Sequence, residues 1–403
     1  MTAELLQSFN NIANADVAGK TVLIRADLNV PMSGGQVTDA TRIERLLPTF
    51  RDLLARGAKV VILSHLGRPD GKAVAKYSLK PVADKLGSLL GVSVFFGEDC
   101  VGPAAEAIVA KLAPGQIAML ENLRFHKEEE ENDKGFATAL AKLGDFYVND
   151  AFSVSHRAHA STEALARLLP AYAGPSMLAE IGALKLALDA PKRPVAAIVG
   201  GSKVSTKIDV LGHLVKKVDF LIIGGAMANT FLFAKGAAVG KSLHEPGSVA
   251  VVEDIQRQAD AAGCKLLLPS DAVVASALAP NVETAVVAIG EVPADKMILD
   301  VGPQSVKAFG QTLANCKTLL WNGPVGAFET PPFGEATFEL AREAAKLTQA
   351  GALTSIAGGG DTVAALNAAG VTNKFTYVST AGGAFLEWLE GRTLPGVAVL
   401  MRS

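Results

Sequence analysis

From Thr21 onward the chain repeats one pattern: a short apolar, β-branched run, a loop holding Gly, Asn, Asp, Arg or His, then an amphipathic stretch of helical period. In the first half the apolar runs are TVLIRADLNV, KVVILSHLGR, SVFFGED, IAMLENLRF and DFYVNDAF, and the spacing predicts helices over Asp39 to Arg56 and Leu79 to Leu90. Leu169-Pro170 and Gly174-Pro175 break the rhythm. Met177 to Leu188 then reads as one helix, closed by Pro191 and Pro194 and suited to connecting two domains. The second half resumes with VAAIVGGSK, DFLIIGGAMANTF, CKLLLPSDAVVA, TLLWNGPVGAFE, LTSIAGGGDTVAAL and FTYVSTAGGAFLEWL, each read as strand, loop and helix. Alternating strand and helix implies parallel sheet, in which ligands bind outside the carboxyl ends of the strands.

A chain of 403 residues exceeds what one core usually supports, so two domains are expected. With 49% apolar and 19% charged residues the composition is that of an α/β enzyme. A formal charge of −2 argues against general nucleic-acid or membrane-surface binding. Cys100, Cys264 and Cys316 lie far apart without CxxC spacing or a nearby His cluster, which suggests neither disulfides nor a zinc site. Met1 to Asp16 has no leader pattern, and no apolar run approaches the roughly 18 residues of a membrane span, so a soluble cytoplasmic protein is expected.

The residues after each run carry the candidate chemistry. Arg25, Asp27 and Asn29 follow the first, His65 and Arg68 the second, Arg124 and His126 the fourth, Arg157 the fifth, and Arg42 sits in the first helix. A lone loop arginine is usually a solvated charge. Five at one sheet edge repel one another unless an anion neutralises them, and their forks match carboxylate and phosphate oxygens, so a small, multiply anionic ligand is expected. His156 and His159 are three apart but lack a third ligand at metal spacing, and Glu128 to Glu131 reads as a solvated face. In the second half glycine replaces arginine. Gly200-Gly201 with Lys203 and Lys207 could grip a polyphosphate or could be a tight turn with two solvated lysines. Asp361-Thr362 could hold Mg²⁺ and phosphate or could simply cap a helix. No GxxxxGK[ST] loop or GxGxxG junction is present.

Taken together, RADLNVP (Arg25 to Pro31), SHLGRPDG (Ser64 to Gly71), LENLRF (Glu121 to Phe125; Leu120 precedes), SHRAHAS (Ser155 to Ser161), GGSKVSTK (Gly200 to Lys207), WNGPVGAFE (Trp321 to Glu329) and GGGDT (Gly358 to Thr362) resemble the phosphoglycerate kinase family, in order, from about Val22 to Val397. The resemblance implies two Rossmann-like parallel-sheet domains facing each other across a hinge-bending cleft. Residues 1–174 would bind 3-phosphoglycerate or 1,3-bisphosphoglycerate, with the tail 393–403 packed back on them. Residues 175–190 would form the interdomain helix and 191–392 the nucleotide domain. By the same resemblance the substrate ligands are Asp27, Leu28, Asn29, Arg42, His65, Leu66, Gly67, Arg68, Arg124 and Arg157. The nucleotide ligands are Gly201, Lys207, Gly225, Asn322, Pro324, Glu329, Gly359, Gly360, Asp361 and Thr362. Asp361 would meet Mg²⁺, and Arg42, Lys203 and the Gly382-Gly383 helix start would surround the transferring group. ATP or ADP is the co-substrate, the small molecules are the only partners, with no nucleic acid or membrane, and a monomer is expected.

One departure concerns the last strand–helix turn, where the family commonly has three glycines followed by Ala-Ser and this chain reads Ala381-Gly382-Gly383-Ala384-Phe385. No general base is required, because the phosphoryl acceptors, a carboxylate of pKa roughly 3.5 or the ADP β-phosphate, are already ionised at neutral pH. Two alternatives remain at this stage: a kinase for another small anionic carboxylate, and a catalytically silent nucleotide-binding protein.

Overall fold

The computed structural model describes residues 6–402. They divide into two compact units, one running to Gly182 and taking up the segment from Thr393, the other spanning Ala183–Arg392.

The first unit holds a six-stranded sheet in the order Val94–Gly97, Ile117–Leu120, Lys59–Leu63, Thr21–Arg25, Phe146–Asn149, Ala171–Ala173. Every neighbouring pair is parallel. Val22, Leu23 and Ile24 are wholly buried, because helices cover both faces and leave no polar side to alternate with. The helix Thr41–Ala55 starts where the Asp39 carboxylate accepts the backbone N–H and hydroxyl of Thr41, and it buries Ile43, Leu46, Leu47, Phe50 and Leu53 on one face. From Thr21–Arg25 the chain moves to Lys59–Leu63 on one side, while Phe146–Asn149 lies on the other. The carboxyl ends of this pair therefore open the crevice where such sheets bind ligands. Ala171–Ala173 is a sixth strand that the proline-punctuated sequence did not suggest. The C-terminal segment docks on this unit through Gly396, whose N–H donates to the Ser155 carbonyl at 2.9 Å and whose carbonyl accepts from Asn149 Nδ2 at 3.2 Å.

The second unit holds another six-stranded parallel sheet, in the order Lys265–Leu267, Phe220–Ile223, Val195–Val199, Thr318–Asn322, Thr354–Gly358, Tyr377–Ser379. Its switch point falls between Val195–Val199 and Thr318–Asn322, which end on Gly200 and Gly323. The segment CKLLLPSDAVVA differs from its expected strand, loop and helix. Asp271–Ala275 is a strand, paired antiparallel with Thr284–Ala288 and Met297–Val301 in a separate three-stranded sheet. Among the described residues no helix is long and apolar enough to cross a membrane.

Candidate active site

At the crevice of the first unit, Arg25 ends its strand with no exposed surface. Its Nε donates to Ser161 Oγ at 2.9 Å, Nη1 to the Ala26 carbonyl at 2.6 Å, and Nη2 meets His65 Nδ1 at 3.1 Å. A guanidinium only donates, so His65 Nδ1 must accept, which leaves the proton on Nε2. Burial and then Arg25 hold His65 well below the usual imidazole value, and His65 is a neutral donor at pH 7. Burial works against the Asp27 carboxylate. Even so, Arg42 at 2.5 Å, Ser153 and the Asn29 N–H keep it below the ordinary range.

Gly67 joins two further predicted ligands: its N–H donates to Asn29 Oδ1 at 2.9 Å and its carbonyl accepts from Arg124 Nη1 at 3.0 Å. With φ +63 and the Tyr77 ring 2.3 Å from where a Cβ would stand, only glycine suits the position. Arg124 is buried, and its Nε has no hydrogen-bond partner, with the Glu130 carboxylate 3.4 Å away. His159 is buried too, and burial, then Arg124, Arg25 and Arg157, push its pKa down to about 3. Three guanidiniums thus act on one imidazole. Arg68 and Arg157 are exposed, whereas the side chains of Leu28 and Leu66 lie in the core, so any contact these two make with a ligand must be through backbone.

The expected solvated face at Glu128 to Glu131 needs correction at Glu129, which is fully buried and accepts from the Ser161 N–H at 2.9 Å and hydroxyl at 2.6 Å. Burial raises its pKa, while Arg25 and Ser161 act in the opposite direction. Ser161 therefore bridges the buried arginine and the buried glutamate. Cys100 has one histidine beside it in space: donor atoms of Asp99, Cys100 and His126 lie within 4.8 Å of one another. Asp99 Oδ1 already meets His126 Nε2 at 2.7 Å and the Cys100 N–H at 2.6 Å, which satisfies the group without an ion.

In the second unit a cavity of about 570 Å³ opens at the switch point and is lined by Gly201, Lys207, Gly225, Asn322, Pro324, Glu329, Gly359, Gly360, Asp361 and Thr362. All ten predicted nucleotide ligands thus share one cavity. Its walls are held by backbone contact: the Gly200 N–H donates to the Asn322 carbonyl at 2.9 Å, the Gly323 N–H to Thr362 Oγ1 at 2.7 Å, and the Met227 N–H to the Gly201 carbonyl at 2.9 Å. Lys207 Nζ donates to Asn322 Oδ1, and Asn322 Nδ2 donates to the Gly358 carbonyl at 2.8 Å. Burial lowers the Lys207 pKa against the pull of Asp361. Asp361 itself is exposed on the first turn of helix Gly360–Ala368, and its carboxylate makes no hydrogen bond or ion pair among the described residues. A free carboxylate beside a phosphate-sized backbone cradle fits Mg²⁺, a hard cation that commonly takes one carboxylate plus phosphate oxygens. Lys203 is exposed, with its carbonyl accepting from Thr206 Oγ1 at 2.9 Å. Ala381 precedes helix Gly382–Leu389 at φ −90, ordinary for any L-residue, so the missing third glycine introduces no backbone strain.

Sequence reasoning missed the apolar wall of this cavity, formed by Leu243, Leu278, Ile289, Met297 and Leu386, because the segments that supply it are scattered along the chain. It also missed Asp300, another wall residue, which accepts the N–H groups of Val301 at 2.9 Å and Ala336 at 3.1 Å. Burial raises its pKa from 3.8 to about 7. The folded state thus holds a proton across a pH range in which the unfolded chain has lost it, so stability falls as pH rises from about 4 to 7, by up to about 4 kcal/mol. Asp300→Asn is expected to flatten that part of a denaturation-versus-pH curve. An unchanged slope would show that Asp300 ionises freely.

Two parallel-sheet units, one presenting clustered guanidiniums and the other a glycine-walled cavity with lysine and a free carboxylate, define a phosphotransferase that uses a nucleotide and a small anion. Residues 12–392 match the family model described as phosphoglycerate kinase. The chain is 61% identical over 385 residues to the phosphoglycerate kinase of Rhizorhabdus wittichii, covering 96% of this chain and 97% of that protein. It is 58% identical over 393 residues to that of Caulobacter vibrioides, covering 98% and 99%. Among solved structures, the phosphoglycerate kinase of Coxiella burnetii superposes with a TM-score of 0.92 at 43% identity, covering 97% of this chain and 98% of that one. That of Pyrococcus horikoshii gives 0.80 at 31%, with the same coverage. The chain belongs to the phosphoglycerate kinase family and is a kinase.

Proposed function

We propose that the chain catalyses reversible, Mg²⁺-dependent phosphoryl transfer between 1,3-bisphosphoglycerate and ADP, giving 3-phosphoglycerate and ATP, as a monomeric cytoplasmic enzyme of glycolysis and gluconeogenesis. The observation that carries the substrate side is the buried Arg124 guanidinium, whose Nε makes no hydrogen bond, with Glu130 3.4 Å away as a partial counter-charge and with Arg25 and Arg157 as like charges around it. A buried unsatisfied donor among like charges calls for an anion. In this reading Arg124, Arg68 and Arg157 neutralise the phosphoglycerate, while Asp27, Asn29 and the neutral His65 Nε2–H orient its hydroxyl and carboxylate. In the second unit Lys207, Thr362 and the helix start at Gly360 hold the nucleotide phosphates, and Gly201, Gly225, Asn322, Pro324 and Glu329 surround the nucleoside. Bound at Asp361, Mg²⁺ supplies charge neutralisation to the nucleotide phosphates. Hinge bending follows from the same division of ligands, because neither unit carries those of both substrates. A coupled assay with 3-phosphoglycerate and Mg-ATP tests the whole reading, and turnover with another small carboxylate but not with 3-phosphoglycerate would replace it.

Arg42, Lys203 and the Gly382-Gly383 helix start are assigned to the transferring phosphoryl group, whose charge spreads over its equatorial oxygens in the transition state. Lys203→Ala is therefore expected to lower kcat by about 10²-fold and to leave the nucleotide Kd within a few-fold. Equal losses in Kd and kcat would make Lys203 a ground-state ligand instead.

A further inference from the structure

We infer that Phe385 is a positioning residue for the nucleotide site, its buried ring fixing the strand end that holds Asn322 and, through it, Lys207. The inference rests on the nucleotide reading given above. Phe385 lies on the first turn of helix Gly382–Leu389, where its N–H donates to the Ala381 carbonyl at 2.9 Å, and no part of it is exposed. Its ring presses on the backbone of Gly358, the last residue of strand Thr354–Gly358: a Cβ at 358 would stand 2.7 Å from each of Cδ2, Cε2 and Cζ. Gly358 thus has an aromatic ring where any other residue has a side chain.

From that contact a short chain of bonds reaches the cavity. The Gly358 carbonyl accepts from Asn322 Nδ2 at 2.8 Å, and Asn322 Oδ1 accepts from Lys207 Nζ. The next residue, Gly359, has φ +100 and stands so close to Asn322 that a Cβ there would come within 2.7 Å of Nδ2. It caps the helix that carries Asp361 and Thr362. The neighbouring Leu386 lines the cavity itself. One aromatic ring therefore sets the height of the Gly358 carbonyl and ties together the starts of helices Gly360–Ala368 and Gly382–Leu389. A smaller side chain at 385 leaves space behind Gly358, lets the strand end sink, and releases the Asn322 amide that holds Lys207.

The test compares steady-state kinetics of single and paired variants of the full chain. Phe385→Leu is expected to raise the Mg-ATP KM about tenfold with the 3-phosphoglycerate KM within twofold. Phe309→Leu, a truncation of another buried ring in the same unit, is expected to lower Tm while leaving both KM values within twofold. Gly358→Ala should raise the Mg-ATP KM on its own, and Gly358→Ala combined with Phe385→Leu should recover at least fivefold of that loss, because the added methyl fills the space that the ring vacates. An unchanged Mg-ATP KM in Phe385→Leu, an equal rise in Phe309→Leu, or additive losses in the pair would each overturn the inference. Asn322→Ala separates this failure from failure of the site reading: a raised Mg-ATP KM there with none in Phe385→Leu removes only the inference, whereas no change in Asn322→Ala removes the nucleotide site as well.

Discussion

Gly200→Ala is expected to abolish nucleotide binding, weakening it by at least about 10²-fold, and to lower the melting temperature of the second unit by roughly 6–12 °C. The cause is contact between two backbones. A Cβ on Gly200 would stand 1.8 Å from the Pro324 carbonyl oxygen, and one on Gly323, at φ +99, would stand 2.2 Å from the Gly200 carbonyl oxygen. Neither obstacle is the flexible end of a side chain, so relief requires the ends of Val195–Val199 and Thr318–Asn322 to separate. That separation breaks the Gly200 N–H to Asn322 carbonyl bond and draws Gly323 off Thr362 Oγ1. An overpacked core costs about 1–3 kcal/mol, and a backbone-on-backbone overlap belongs at the upper end. Gly247→Ala, where a Cβ meets nothing within 4 Å, is the control and should behave as wild type. Nucleotide titration and thermal denaturation of the two variants decide the matter, and normal affinity in Gly200→Ala would mean that this crossing is looser than the geometry requires.

That contact also shows what sequence can convey. Val195 to Val199 announces a strand because every residue is apolar and buried, and Gly200-Gly201 announces a turn, but the need for glycine at 200 comes from Pro324, more than a hundred residues away. The parallel sheets were legible because strands covered on both faces leave continuous apolar runs. Asp271–Ala275 was not, since its neighbour Thr284–Ala288 is almost wholly exposed and shows no alternation from which an antiparallel pair can be read. The arginines of the first unit were visible as residues, and their position after strands was enough to suggest an anion site. Their supports were hidden. Glu129 sits in a run of four glutamates that looks uniformly solvated, and only the fold brings Ser161 onto it and seals it from water. His159 was weighed as a metal ligand from its spacing to His156, whereas burial first, and then Arg124, Arg25 and Arg157, keep it neutral.

Arg124→Ala is expected to raise the KM for 3-phosphoglycerate by about 10²-fold with the Mg-ATP KM within threefold. The side chain is buried against the Gly67 carbonyl, and its Nε makes no hydrogen bond among the described residues although the Glu130 carboxylate lies 3.4 Å away, so the guanidinium is held in place with donors left for a ligand oxygen. A charge-assisted bond to an anion in such a site is worth about 2–3 kcal/mol, which converts to the stated loss. Arg124→Lys should recover little of it, because an ammonium cannot bond the Gly67 carbonyl and present a second donor in the same plane. His159 supplies an independent readout. Burial and then Arg124 are the largest causes of its pKa of about 3, so removing the guanidinium should move the imidazole titration towards the ordinary value. NMR titration of the His159 ring in the alanine variant measures this shift. A large rise in KM with no movement of His159 would place Arg124 at the substrate but away from the cluster, and an unchanged KM would remove it from the anion site altogether.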